Sequence, residues 1–388
     1  MQHAILAPSS APVWGFCSGS VIAAQAAPSP ETEQTRNGTA AHWVASECLE
    51  GWSGAKLGNS WNPVDYIGRA APNGAIIDVT HADGADVYVT DVIGTLSEIE
   101  GGREALVVER RTFMPSVHPD NWGTPDAWAR LGPRIYIWDY KHGHAKVDAF
   151  ENLQLVDYLE GIRTELGIDG HADQFTSVDA RVVQPFAYDP KGPVSTWLFT
   201  LCDMRGLVNQ LHAQAWESQT NPTLTSGKHC RYCPARGRCP ALRAASYNLI
   251  DLVKVPVAFD TMAGDDLATE REILLRGQTM LKARLEAIED DLIHRVKSGD
   301  ASCGLSLEAV AGRLEWTVAP EQAIASVGLL GVDIRKAHCD TPTQARAKVP
   351  AKMRESFDTA IKAVSKRKSS IKLIDASDTM AARVFSRK

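Results

Sequence analysis

Residues 135–147, IYIWDYKHGHAKV, place a carboxylate and an ammonium group two positions apart, Asp139 and Lys141, at the end of an apolar run. Ile135, Tyr136, Ile137 and Trp138 have the β-branched and aromatic character of a strand, and Gly143 lets the chain turn after it. Side chains alternate between faces along a strand, so Asp139 and Lys141 point the same way. Such a pair suits metal-assisted hydrolysis of a phosphate ester. The carboxylate holds a divalent cation, and the lysine orients or deprotonates the attacking water and offsets charge on the phosphate. An isolated D-x-K is common, and a salt-bridged strand end on the surface explains it equally well. The neighbouring residues decide between the two.

Upstream, residues 123–128 read GTPDAW and put Asp126 13 residues before Asp139. That gap fits two adjacent antiparallel strands joined by a turn near residues 131–133. Two carboxylates then converge on one cation, and hard cations such as magnesium favour oxygen ligands. Downstream, residues 150–166 carry Leu153, Val156, Leu159 and Ile162 at helical spacing. Gln154 and Tyr158, four apart, share another face of that helix. Earlier in the chain, residues 38–52 read as a helix carrying His42. A lone helix histidine is more often structural than a ligand.

Taken in order, His42, Asp126, Asp139 with Lys141, and Gln154 with Tyr158 resemble the PD-(D/E)XK nucleases, in particular their RecB-like branch. That family has a helix histidine, a G-x-x-D aspartate, a D/E-x-K pair and a Q-x-x-x-Y helix in this sequence order. The resemblance covers roughly residues 9–240, most of the chain. It implies that His42, Asp126 and Asp139 hold Mg²⁺ or Mn²⁺, with the Tyr140 carbonyl as a backbone ligand. A nitrogen ligand favours manganese somewhat. It also implies that Lys141 stabilises the transition state, and that Gln154 and Tyr158 contact DNA or hold the lysine and the water. The substrate implied is single-stranded DNA or a DNA end.

Hydrophobic residues make up 44% and charged residues 23% of the 388, the balance of a globular protein. No apolar run approaches transmembrane length, and the N-terminus has no basic region of the kind that opens a signal peptide. A cytoplasmic protein without a membrane partner is expected. The net charge of −6 speaks against a protein that coats DNA broadly, while leaving room for basic groups along one groove.

The eight cysteines are Cys17, Cys48, Cys202, Cys230, Cys233, Cys239, Cys303 and Cys339. Residues 227–240, GKHCRYCPARGRCP, hold three of them as C-x₂-C-x₅-C within polar and basic surroundings. Clustered cysteines of this kind indicate metal rather than disulfides. Three thiolates need a fourth ligand, for zinc or for an iron–sulfur cluster. His229 is adjacent to Cys230 and poorly placed to bind the same metal. Some RecB-like nucleases, including AddB-type domains and CRISPR-associated exonucleases, hold a [4Fe–4S] cluster through one early cysteine and three late ones. The resemblance therefore implies Cys17 with Cys230, Cys233 and Cys239. Cys48, on the His42 helix, is the rival fourth ligand, and Zn²⁺ is the rival metal.

Elsewhere the signals are coarser. Residues 26–38 read as a loop, 51–74 as an insertion near the active site, 85–98 as a helix, and 105–113 as a strand. Glu109 on that strand is either a further acidic site group or a solvent-facing glutamate. Residues 177–188 and 195–200 read as strands, 203–216 as a helix, and 265–297 as a long amphipathic helix. A short strand pair is expected around Leu314, Glu315 and Trp316. Residues 343–369 carry Lys348, Lys352, Arg354, Lys362, Lys366, Arg367 and Lys368, a basic stretch able to meet DNA backbone or simply to face water.

The fold class expected is α/β: a mixed central sheet flanked by helices, restriction-endonuclease-like, with a helical C-terminal region. Residues 1–250 would form the nuclease domain and 251–388 a mainly helical part contacting DNA or a partner. The layout is also similar to a phage-borne family of RecB-like proteins, which implies phage DNA processing in the host cell, beside a recombination protein. Two other classes fit part of the pattern: a DNA-binding recombination partner with a nuclease-like shell, and a structural zinc protein whose D-x-K is incidental.

Overall fold

The computed structural model describes residues 4–27, 32–168, 170–252, 263–300, 302–316, 318, 320–330, 332–334, 341–350 and 353–375. The chain forms two compact units, Met1–Arg284 and Leu285–Lys388.

The first unit is built on a five-stranded mixed sheet. Its strands are β1 (Leu106–Val108), β4 (Ala127–Leu131), β5 (Arg134–Tyr140), β6 (Ser177–Val183) and β7 (Val194–Thr200), in the order β1-β4-β5-β6-β7. β1, β4 and β5 pair antiparallel, β5 and β6 parallel, and β6 and β7 antiparallel. A parallel pair needs a crossover, and the helix α6 (Leu153–Glu165) supplies it between β5 and β6. A small ribbon, β2 (Thr112–Phe113) with β3 (Trp122–Gly123), leads into β4.

The alternation along β5 divides its side chains between two cores. Ile135 and Ile137 pack with Leu153, Val156 and Leu159 of α6. Tyr136, Trp138 and Tyr140 pack with Val44, Leu49, Tyr88 and Val92 from α3 (Glu33–Ser53) and α4 (Val79–Ser97) on the other side. Helices therefore cover both faces of the sheet, as the α/β reading expected, and both faces of β5 are apolar. A full pair of buried faces also explains why the strand reads as a continuous hydrophobic run. The short helices α1 (Ala11–Trp14) and α2 (Ser20–Gln25) precede α3, and α5 (Gly102–Ala105) precedes β1. After the sheet come α7 (Arg205–Thr220), α8 (Pro240–Leu252) and α9 (Gly264–Lys297), the last running across the division between the units. No helix among the described residues is long and apolar enough to cross a membrane.

Three local expectations change. Helix α3 begins at Glu33, inside the stretch read as a loop, because Thr32 caps it: its Oγ1 accepts from Thr35 N at 3.1 Å. Residues 105–113 are not one strand. Glu109 has φ +46° and breaks the run between β1 and β2. Finally, Leu314, Glu315 and Trp316 belong to one long strand, β8 (Leu305–Trp316), whose antiparallel partner is the distant β9 (Ser365–Asp375).

In the second unit α10 (Pro320–Gly328), α11 (Pro342–Lys348) and α12 (Arg354–Ala360) accompany the β8–β9 hairpin, and Ala323, Val327, Ile334, Ala345 and Phe357 form a small core. The basic run is thus split, with Lys348 and Arg354 on helices and Lys366, Arg367 and Lys368 on β9. Lys352 and Cys339 lie outside the described residues.

Candidate functional site

The ends of β4 and β5 set the site. Their register pairs Ala127 with Trp138, so the next step puts Asp126 opposite Asp139. Lys141, just past β5, lies on the α6 side with Asp139. Its Nζ is 3.0 Å from both Asp139 oxygens and donates to Gln154 Oε1 at 2.9 Å. Gln154 Nε2 in turn donates to Asp139 Oδ1 at 2.8 Å. Three side chains, two from the strand end and one from the helix, thus close a ring. Gln154 is fixed by the start of α6, where the Asn152 cap accepts from Gln154 N at 3.0 Å.

Asp139 is 3% exposed, and its Oδ2 accepts no hydrogen bond. A buried carboxylate oxygen without a hydrogen bond is costly unless positive charge sits beside it. Burial, and then repulsion from Asp126, raises the Asp139 pKa against the pull of Lys141.

Asp126 is held from two sides. Its Oδ2 accepts from Tyr140 N at 2.6 Å, and its Oδ1 lies 3.2 Å from His42 Nδ1. His42 comes from α3, and its ring is 4.9 Å from that of Tyr140. The expected ligand Tyr140 therefore meets the site through its backbone N–H and its ring. Burial would lower the His42 pKa, but the Asp126 carboxylate outweighs it and pushes the imidazole up to about 9. The same pairing takes Asp126 below its usual range, against the opposing effect of burial.

Glu109 completes a triad that the sequence left open. Its positive φ turns it out of the β1 line, and its N–H donates to Asp126 O at 3.2 Å. His42, Glu109 and Asp126 each offer a ligand atom within 4.8 Å of the others. Lost hydration and the Asp126 charge push Glu109 up to about 8, with His42 pulling the other way. The side chain keeps contact with solvent, and the repulsion between the two carboxylates keeps its pKa raised. The sequence signal was a glutamate ending an apolar strand; the break that aims it is not visible in composition or periodicity. Asp139 stands outside this triad, engaged by Lys141 and Gln154. The donor set of the triad, an imidazole with two carboxylates, suits Mg²⁺ or Mn²⁺.

Tyr158, one turn beyond Gln154, is buried beneath the site, and its hydroxyl hydrogen-bonds to Gln154. Gly123, first residue of the G-x-x-D run, explains itself here. A Cβ on it would lie 2.9 Å from the Tyr158 ring and 2.8 Å from Pro8. Nearby, Asn121 Nδ2 donates to both oxygens of buried Asp157 on α6, at 2.8 and 3.0 Å. This anchors the β2–β3 ribbon, and so the approach to Asp126, on the helix that carries Gln154.

The structure also gathers the four cysteines named above. Cys17, Cys230 and Cys233 are buried and Cys239 half-buried. Burial, then the proximity of Cys230, Cys17 and Cys239, raises the Cys233 thiol to about 11. Two backbone N–H groups already point at sulfur: Thr225 N donates to Cys17 Sγ at 3.4 Å and Gly227 N to Cys230 Sγ at 3.3 Å. Such donors stabilise thiolate ligands. His229, read as poorly placed to bind the same metal, sits beside Cys17 and Cys230 with its Nε2 3.0 Å from Thr225 O, and against burial the two cysteines help to raise its pKa to about 9. Cys48 lies elsewhere, in the core with Val44, Leu49 and Tyr66. The donor set therefore fits a four-thiolate group built on Cys17, Cys230, Cys233 and Cys239.

The chain belongs to the family described as a protein of unknown function (DUF2800), whose model matches residues 3–380. No solved structure matches it.

Proposed function

We propose that this protein is a metal-dependent deoxyribonuclease of the RecB-like PD-(D/E)XK type, acting on single-stranded DNA or DNA ends. The observation that carries the reading is the buried Asp139–Lys141–Gln154 ring beside the Asp126–His42–Glu109 triad. A salt-bridged surface pair would not be buried, would not recruit a glutamine from a crossover helix, and would not face a second acidic group.

Asp126, Asp139 and His42, with the Tyr140 carbonyl, would hold the cation, and Glu109 adds a ligand that the sequence pattern did not require. When bound, the cation supplies Lewis acidity toward the phosphate and makes water more acidic. The other tasks fall to the chain. Lys141 donates toward the phosphate oxygens, where negative charge grows in the transition state, and orients the attacking water. Gln154 holds Lys141 and Asp139 at fixed separation, so little reorganisation accompanies reaction. Tyr158 holds Gln154. His42 must give up the proton that Asp126 keeps on it before it can act as a ligand.

Cys17, Cys230, Cys233 and Cys239 would hold a [4Fe–4S] cluster that ties the first segment to the last of the nuclease unit. Among the described residues only His42, Glu109 and Asp126 bring three ligand atoms within 4.8 Å of one another. Four thiolates suit zinc as well, so iron, sulfide and zinc measured per chain decide between the two. A place in phage DNA processing, in the host cytoplasm beside a recombination protein, rests on the family resemblance alone.

The test is incubation of the purified chain with end-labelled single- and double-stranded DNA and Mn²⁺ or Mg²⁺. Cation-dependent cleavage is expected; DNA left intact with both cations, by protein of full cofactor content, overturns the reading.

A further inference from the structure

A cavity of about 710 Å³ lies beside the active centre. Its lining joins Lys141 and Gln154 to Phe16, next to Cys17, and to Tyr232 and Pro234 of the cysteine segment. Most of that lining is apolar, supplied by the first helices and by the approach to α6. Phe16 and Tyr232 are 50% and 53% exposed. Both rings are nevertheless held in place. Phe16 stacks on His229, centroids 5.9 Å and planes 11° apart, and the Arg231 guanidinium lies 5.7 Å from the Tyr232 ring centre. Two rigid aromatic rings left open to water, along a groove that leads to a phosphate-handling lysine, are a platform for flat apolar ligands.

The charge nearby narrows the ligand. Residues 227–240 contain Lys228, Arg231, Arg236 and Arg238 and no acidic residue, in a chain whose net charge is −6. Lys228, Arg231 and Arg238 are exposed. The groove lining itself carries Lys141 and Lys146 against Glu151 and Asp148, the latter engaged by Ser195 Oγ at 2.8 Å. Stacking rings interleaved with cations that can track a phosphate chain are the features that bind single-stranded nucleic acid.

We propose that this groove is a binding site for unpaired nucleobases of the strand being cut. The strand whose phosphate lies at Lys141 continues along the groove. Its bases stack on Phe16 and Tyr232, and its phosphates meet Lys146 of the lining and Arg231 beside the Tyr232 ring. A duplex keeps its base faces stacked inside and offers none to these rings, so the groove selects single strands and frayed ends. The cysteine segment then does more than staple the fold: it forms the wall that reads strandedness. The position of the site rests on the nuclease reading given above, while its ligand chemistry is tested without cleavage.

The experiment measures binding by fluorescence anisotropy in the full-length Lys141→Ala chain, using a short labelled oligothymidylate and an abasic oligonucleotide of equal length. Adding Phe16→Ala or Tyr232→Ala should weaken oligothymidylate binding about ten-fold per ring and leave abasic binding unchanged. Phe16→Trp and Tyr232→Phe should restore affinity, and melting temperatures identify any variant that has lost its fold. Undiminished oligothymidylate binding by the folded double alanine variant overturns the groove. If the Lys141→Ala chain binds no single strand while the unmodified chain cleaves duplex, the groove falls and the nuclease reading stands. Ring-dependent binding by a chain that cleaves nothing has the opposite meaning.

Discussion

The active centre and the cysteine corner both unite residues far apart in sequence, yet they are built on opposite principles. At the active centre the elements of the sheet deliver charged groups to one place, and the groups then hold each other: Lys141 with Asp139 and Gln154, His42 with Asp126. Beyond the effect of burial, the Asp126 carboxylate raises the pKa of both Glu109 and Asp139 while its own is lowered by His42. At the cysteine corner the groups are held by the backbone instead: N–H donors from Thr225 and Gly227 already meet the sulfurs of Cys17 and Cys230. On the proposed reading, a cation would relieve the repulsion in the first region, and a bound cluster would stabilise the second by drawing its sulfurs together. Loss of chemistry and loss of architecture should therefore separate cleanly by mutation.

The largest effect should come from the carboxylates. Asp126→Ala and Asp139→Ala should abolish cation binding at this centre together with cleavage, as read by Mn²⁺ titration calorimetry and a nuclease assay. The iron content should stay that of the parent, because neither side chain touches the cysteine corner. Loss of iron in either variant would join the two regions that the comparison holds apart.

Cys17→Ser attacks the other side. Closing the chain between residues 17 and 230 resembles a long cross-link, so its loss should cost about 5 kcal/mol if the entropy of the unfolded chain dominates. Iron and sulfide per chain, measured after anaerobic purification, should fall in Cys17→Ser and persist in Cys48→Ala. Zinc alone in anaerobically prepared parent protein would replace the cluster by a zinc site. Retained iron in Cys17→Ser would remove Cys17 from the ligand set.

A smaller effect sharpens the electrostatic half. Without a cation, His42 titrates at about 9 and Glu109 at about 8. A cation needs neutral imidazole and ionised carboxylate, so binding below these values must expel protons. Apparent Mn²⁺ affinity should rise with pH up to about 9, with about two protons released per cation below pH 8 and about one in His42→Ala. The sign for the fold is opposite. The raised His42 pKa means that its ion pair stabilises the cation-free protein at low pH, and that contribution is lost as pH rises through about 9. Proton release that is the same in parent and His42→Ala would make His42 a packing residue.

The smallest change is Tyr158→Phe, which keeps the buried ring and removes the hydroxyl that holds Gln154. Cleavage should drop several-fold, in line with loss of one neutral hydrogen bond of about 1 kcal/mol, with cation affinity unaltered. A cleavage loss as deep as that of the aspartate variants would place Tyr158 on the substrate rather than behind Gln154.

What the sequence disclosed follows from range. β5, α6 and the pairing of β4 with β5 are local patterns, so the positions of Asp126, Asp139, Lys141 and Gln154 on them were legible from alternation and helical spacing, while their selection as one set came from the motif order. His42 and Cys17 were not: only a known motif order singled them out, since nothing local distinguishes them from core residues. Glu109 stayed undecided because its role depends on one backbone angle, φ +46°, which the sequence ALVVERRTF does not announce. The partner of β8 was missed for a similar reason: β9 lies far along the chain, and no local signal pairs the two. His229 was judged by sequence adjacency, whereas the short 3-10 turn Lys228–Tyr232 carries its ring to both Cys17 and Cys230.

The most direct test of the central claim is single-turnover cleavage of end-labelled single-stranded DNA by Lys141→Ala with saturating Mn²⁺. DNA affinity, Mn²⁺ stoichiometry and iron content are measured on the same preparation. If Lys141 acts where charge grows in the transition state, as proposed, the rate should fall roughly a hundred- to a thousand-fold while the three binding quantities match the parent. A Lys141→Ala chain that cleaves as fast as the parent would contradict the account.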